Sequence, residues 1–167
     1  MTYTLTGSEI ILVSGNDGAG RPSPAQIPLP MSQVAATVRP AQYQTNAATT
    51  AATLSAANIA GNFTAAAPTE VYLNMTGTLG AGAALTLPTV ANLIAAIPAP
   101  VDNQTYVLRI INSSGGAFSW TVTTNTGWTL NGTMTIAQNT WREFIVTITS
   151  VASVTASLQV IGLGTYG

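Results

Sequence analysis

Along the last forty residues apolar and polar side chains alternate with a period of two, as in a strand with one buried face. In "TMTIAQNTWREFIVTITS", residues 133–150, Phe144, Val146 and Ile148 share one face, and in "VTASLQVIG" Val154, Ala156, Leu158 and Val160 stand in step. "SVAS" between them predicts a turn. Upstream, "WTLNGTMTI" sets Asn131-Gly132 between apolar residues, a strong hairpin signal, with Trp128 and Leu130 on one face and Met134 and Ile136 returning. "TYVLRIINSSGGAFSWTVTT" predicts two strands joined by "SSGG", the second presenting Phe118, Trp120 and Val122, and "VYLNMTG" and "ALTLP" flank the turn "TLGAG".

The pattern changes to a helical period in one place. In "TVANLIAAIP", Thr89 is the expected N-cap, Val90, Leu93, Ile94 and Ile97 share a face, and Pro98 closes a short helix. The Ala/Thr/Asn-rich stretch 41–68 predicts a weak strand at 49–55, with Leu54, Ile59 and Phe63 as apolar anchors. Residues 1–40 read differently: an apolar run in "YTLTGSEIILVSG", a Gly/Asn/Asp turn, then prolines 22, 24, 28, 30 and 40, which remove amide donors and keep the segment extended. Only "MSQVAAT", with Ser32 as cap, predicts a helical turn there. The expected fold class is therefore all-β: a compact β-sandwich or jelly-roll-like domain with one short helix over 41–167, preceded by an extended N-terminal arm over 1–40.

Composition narrows what such a domain does. Only 5% of the 167 residues are charged, the net charge is −1, and Arg21, Arg39, Arg109 and Arg142 are the only cations. Phosphate neutralisation needs a basic footprint that this chain lacks, so nucleic acid is not an expected partner. Cysteine and histidine are absent and so is lysine, which removes disulfides, thiolate metal sites and the common activators of a nucleophile. Glu9, Asp17, Glu70, Asp102 and Glu143 are scattered at no informative spacing, and "NDGAG" lacks the alternating ligands of a calcium loop. The chain is expected to be no enzyme and to hold no metal or cofactor. No apolar run reaches membrane-spanning length, and no basic-then-apolar leader opens the sequence. Five Asn-x-Ser/Thr triplets, at Asn62, Asn74, Asn103, Asn112 and Asn131, are assigned no role. With little charge repulsion between copies, self-association is expected.

Arg142 and Glu143 stand side by side in this nearly uncharged chain. Neighbours on a strand point to opposite faces, so they do not form one catalytic dyad. Arg142 is expected to reach Glu70, Asp102 or backbone carbonyls across a strand or subunit boundary. Arg109, Trp128, Trp141, Arg142 and Glu143 are the candidate subunit-interface residues. Trp120, Trp128, Trp141, Tyr72 and Tyr106 offer a second reading, a carbohydrate-stacking platform, although aromatics on alternating strands more often serve core or interface.

"MTGTLGAGAALTLPTVANLIAAIPAPVDNQTYVLRIINSSGGAFSWTVTT", followed by "GWTLNGTMTIAQNTWREFIVTITS", resembles small β-rich structural proteins of tailed bacteriophages, of the head-decoration (cement) and head- or tail-fibre kind. "LTGSEIILV" is similar to modules of phage fibre proteins. The resemblance spans about residues 50–166, and more loosely 4–36, through general wording and no catalytic motif. It implies a virion component made in the host cytoplasm, commonly trimeric, that binds the major capsid protein on the outer surface of the capsid. A tail-fibre or baseplate subunit and a glycan-binding module are the alternatives. On this reading Glu9, Ile10, Ile11, Leu12, Arg21, Ile27, Leu29 and Arg39 are the candidate capsid-contact residues, since a strand such as "SEIILV" adds to an exposed sheet edge.

Overall fold

The computed structural model describes residues 9–10, 29–30, 41–63 and 67–166, and divides the chain into two units, Met1–Val38 and Arg39–Gly167. In the first unit β1 (Glu9–Ile10) pairs antiparallel with β2 (Leu29–Pro30), with Ile10 opposite Leu29. Ile11, Leu12, Arg21, Ile27 and Arg39 lie outside the described residues, as do Ser32 and its expected helical turn.

The second unit is mostly β. Its elements run β3 (Ala41–Asn46), β4 (Ala52–Thr53), α1 (Ala56–Ala60), β5 (Glu70–Met75), β6 (Ala83–Thr86), α2 (Val90–Ala96), β7 (Thr105–Asn112), β8 (Trp120–Thr123), β9 (Trp128–Asn131), β10 (Thr135–Ile136), β11 (Thr140–Ser150) and β12 (Thr155–Thr165). Six strands form one mixed sheet in the order β3-β5-β7-β11-β12-β9, and four form a second, β10-β8-β6-β4.

From β3 to β8 the chain alternates between the sheets and winds as a coil. Odd-numbered strands stack parallel in the larger sheet and even-numbered ones parallel in the smaller. Register is kept from coil to coil: Gln44, Leu73 and Ile110 align, as do Ala52, Leu85 and Val122. The corners are tied by main-chain bonds, Leu54 N to Thr86 O at 2.8 Å and Leu87 N to Thr123 O at 3.0 Å, and Thr86 and Thr123 stack their hydroxyls 3.1 Å apart. Inward positions of the second and third coils are aliphatic: Val71, Leu73, Leu108 and Ile110 are fully buried. In the first coil the equivalent positions are Gln42 and Gln44, whose amides bond Asn62 N (2.6 Å) and Ala57 O (2.5 Å). That coil closes the end of the winding with polar groups, as terminal repeats of solenoids do.

The hairpin expected at Asn131-Gly132 is corrected by this topology, and the strands joined through "TLGAG" and "SSGG" do not pair either. β5 and β6, β7 and β8, and β9 and β10 do not pair; in each case the two strands lie in different sheets. The loops 76–82 and 113–119 are seven residues long, enough to carry the chain from one sheet to the other. Gly132 takes the positive φ (97°) of a turn, but the turn carries the chain from one sheet to the other. β11 and β12 do form a hairpin, and Phe144, Val146, Ile148, Ala156 and Leu158 are buried. Val154 leaves that row: it is exposed, with φ 54°, in the four-residue turn.

There are two short helices among the described residues where one was expected. α2 starts at its Thr89 cap and buries Val90 and Leu93. The strand expected at 49–55 is shortened to β4 at 52–53, and α1 follows directly after it. Ser55 and Asn58 form a reciprocal capping box there, and Ile59 enters the core. Phe118 is 38% exposed, outside the row formed by Trp120 and Val122.

Both sheets feed one apolar core, in which Asn112 and Ser114 are the buried polar residues among those described. Asn112 is fully used. Its Nδ2 donates to Phe118 O (3.1 Å) and Ile136 O (3.0 Å), its Oδ1 accepts from Ser114, and its carbonyl accepts from the Tyr166 hydroxyl (2.7 Å) and Asn139 N (2.9 Å). It bolts β7, β10 and the C-terminal strand together, and burial closes this glycosylation triplet to a transferase acting on the folded chain. Asn112→Ala leaves Phe118 O, Ile136 O and Ser114 without their side-chain partner, while the main-chain bonds to Tyr166 and Asn139 remain, and is expected to lower unfolding free energy by ~2–4 kcal/mol, measured by urea titration; a loss below ~1 kcal/mol contradicts the bolt.

Tyr106 presents the opposite case. It is 3% exposed, its hydroxyl has no partner among the described residues, and burial pushes its phenol above the usual tyrosine range. The fold therefore holds this proton more tightly than the unfolded chain does. The associated stability is complete below the unfolded value of ~10 and is lost as pH rises above it. Tyr106→Phe is expected to be neutral or stabilising by ~1 kcal/mol at neutral pH and to reduce the alkaline loss. Unfolding curves at neutral and alkaline pH check this, and an unchanged alkaline limb refutes it.

Candidate functional site

The outer face of the six-stranded sheet gathers most of the candidate interface residues. Register places Tyr43, Tyr72, Arg109, Glu143 and Gly162 in one row across five strands. Asn74, Ile111, Trp141 and Gly164 form the next row. Both rows arise because residues two apart on a strand share a face and the register of five strands is locked.

Arg109 is the centre of this face. Its Nε donates to Glu143 Oε2 at 2.8 Å and its Nη2 to the same oxygen. The guanidinium carbon sits 4.5 Å from the Trp141 ring centre and 5.2 Å from that of Tyr72. The Trp141 indole lies against the glycine backbone of β12; a Cβ at Gly164 would overlap it, and one at Gly162 would be 3.3 Å away. Around the rim, the Tyr72 hydroxyl donates to Glu70 Oε2 (2.7 Å) and Asn74 Nδ2 to the Tyr43 hydroxyl (2.8 Å). The Glu70 hydrogen bond, burial and the neighbouring carboxylate charge raise the Tyr72 phenol above its ordinary range.

The structure thus joins Arg109, Trp141 and Glu143 and separates Arg142 from Glu143. Arg142 faces the other side of β11, where its Nε donates to the Thr135 carbonyl, one of the backbone partners expected for it. The Arg109–Glu143 pair spans 34 residues of sequence, and no local pattern announces it. Trp128 is 8% exposed and gives its indole N–H to Pro88 O (2.7 Å), so it belongs to the core and has little surface for a neighbouring subunit. Trp120 and Tyr106 are buried too, which removes three of the five rings proposed for sugar stacking. Of the two that remain, Trp141 already carries a guanidinium and lies on glycine backbone.

Every charged side chain described in the second unit is occupied within it. Beyond the three already placed, Glu70 accepts from Tyr72, and Asp102 Oδ1 accepts from Val151 N at 2.6 Å. Among the described residues no group of three or more His, Cys, Asp or Glu side chains comes together, and no helix is long and apolar enough to cross a membrane. An open cleft of about 490 Å³ between the two helix starts is lined by Thr53, Ser55, Pro88, Thr89, Asn92 and Asn125. Its polar side chains are hydroxyls and amides, set among Leu54, Ala56, Ala95 and Ala96, chemistry for hydrogen bonding without proton transfer.

The Arg109 cluster is partly exposed, with the pair at 32% and 22%. Arg109→Ala is expected to cost ~1–2 kcal/mol, from a screened ion pair and two ring contacts, and the ion-pair share shrinks in high salt. Gly164→Ala, which displaces the indole, is expected to cost ~1–3 kcal/mol and to shift tryptophan emission. Thermal unfolding with fluorescence checks both; a silent Gly164→Ala contradicts the packing of Trp141 on β12.

No protein family, curated protein or solved structure matches the chain, so a functional reading rests on its own residues and geometry.

Proposed function

We propose that this chain is a non-enzymatic structural protein of a tailed-bacteriophage virion, a head-decoration protein that binds the outside of the capsid and stabilises it. The observation that carries the reading is the internal commitment of all the described charges of the second unit. A body whose described charges are all engaged internally is suited to permanent docking through shape, hydroxyls and main chain, and unsuited to steering a charged substrate or polyanion. In this reading the two sheets stack as a β-sandwich over their shared core, with parallel coils where a jelly roll has antiparallel strands. The sheet body supplies rigidity, and residues 1–40 supply the contact with the major capsid protein.

Copies are expected to assemble, as trimers in the proteins the sequence resembles, so that several arms bind together and weak contacts add to durable attachment. A tail-fibre or baseplate subunit is the alternative with the same physical properties. Deleting residues 1–38 is expected to leave a folded, still oligomeric protein that no longer co-sediments with undecorated capsids. Retained binding moves the contact to the β body. Full-length protein that ignores capsids overturns the head-decoration reading in favour of the tail.

A further inference from the structure

The six-stranded sheet has an unprotected stretch of edge. β9 pairs with residues 156–159 of β12 only, so residues 162–165 keep β11 on one side and, among the described residues, no strand on the other. The edge strands of the smaller sheet, β4 and β10, are only two residues long, whereas the larger sheet ends in β3, of six residues, and β9, of four. The free segment "IGLGT" has no charge and no proline, and its two large side chains are open, Ile161 at 46% and Leu163 at 60% exposure. Leu163 lies opposite Arg142, on the core side of β11, yet remains uncovered. A bulge leaves Ile161 out of the ladder, with Gly162 opposite Glu143 and Val160 opposite Phe144; beyond it residues 162–165 form an exposed, uncharged strand edge, which soluble proteins normally avoid unless something pairs with it.

We infer that this edge is a contact between two copies of the chain, with residues 162–165 of one copy pairing antiparallel with the same segment of another. Unsatisfied alternating amides and carbonyls select an extended chain as occupant. Charge selects which one: a charged partner strand would find no counter-ion, because Arg142 is held by the Thr135 carbonyl and Glu143 by Arg109 on the opposite face. The chain's own uncharged edge matches, and antiparallel pairing about a twofold axis makes it self-complementary. The pairing brings the two Leu163 side chains together as cross-strand neighbours and covers both. Gly162 and Gly164 keep the other face low, where the Trp141 indole already fills the space. Such a contact joins copies in pairs, independently of the virion reading, and any threefold assembly would use other surfaces.

Light scattering of the full-length protein tests it. The expected mass is a dimer or a multiple of two. Leu163→Glu sets two carboxylates against each other and is expected to weaken self-association at least about tenfold, ~1.4 kcal/mol, with near-ultraviolet dichroism unchanged. Ile161→Lys repeats the test with opposite charge should the first variant unfold, and Tyr43→Glu, on the distant edge strand, should leave the mass alone. A monomeric parent protein overturns the inference. So does a trimer that neither variant disturbs, an outcome that leaves the proposed virion role standing.

Discussion

Main-chain pairing from one coil to the next is the constraint from which the rest of the unit follows. A strand of the winding finds its partner by travelling through the other sheet and back, so registers are set a whole coil apart. Buried amides and carbonyls must be paired, and they are: Thr76 N reaches Asn46 O, Leu79 N reaches Gly115 O and Ala83 N reaches Ser119 O across the corners. Once register is fixed, side chains line up in rows. Aliphatic rows become the core, the Thr86–Thr123 pair a hydroxyl step, and the outer row Tyr72–Arg109–Glu143 an ion pair between aromatic rings. Gly77 shows how tight this stacking is, since a Cβ there would collide with the backbone of Ala47 and Ala48 in the coil above.

Period and face were legible in the sequence; sheet membership was not. The alternation in 140–150 and 155–160 correctly gives the inward residues of β11 and β12, and the Thr89 cap with Val90 and Leu93 gives α2. Yet Trp120, Val122 and Ile136 are inward whether their strands belong to hairpins or to a second sheet, because a period of two says nothing about which neighbour supplies the hydrogen bonds. Asn131-Gly132 marks a turn equally well in both arrangements. α1 escaped notice because its Ser55–Asn58 box is written in Asn where Glu or Gln is the usual signal, inside a stretch whose alanines fit several structures. Arg109 and Glu143 were each singled out, but the contact between them depends on a β7–β11 register that only the completed sheet defines.

A nearly uncharged chain meets a particular difficulty with its few charges, because each must be placed where desolvation is offset. Here the offsets are local. Arg109 is wrapped by rings and a carboxylate, Asp102 holds a turn amide, and Arg142 ties β11 of one sheet to β10 of the other. Buried polar groups follow the same logic at Asn112, whose amide, being neutral, makes its connections without the penalty of a buried ion. The surface left over is hydroxyl, amide and aliphatic, which suits lasting contact with other protein more than exchange of a charged ligand.

The winding also has a kinetic side. Of the long strand pairs in the second unit, β11 with β12 is the one that joins neighbours in sequence, and both come at the end. β7 waits for β11 to cover one edge, and β9 waits for β12. Early strands therefore leave the ribosome before the sheet that receives them is complete, and loop closure must precede the reward of parallel pairing. Completion of this fold waits for the β11–β12 hairpin to close the larger sheet, and a product lacking it would expose Leu108 and Ile110 to aggregation.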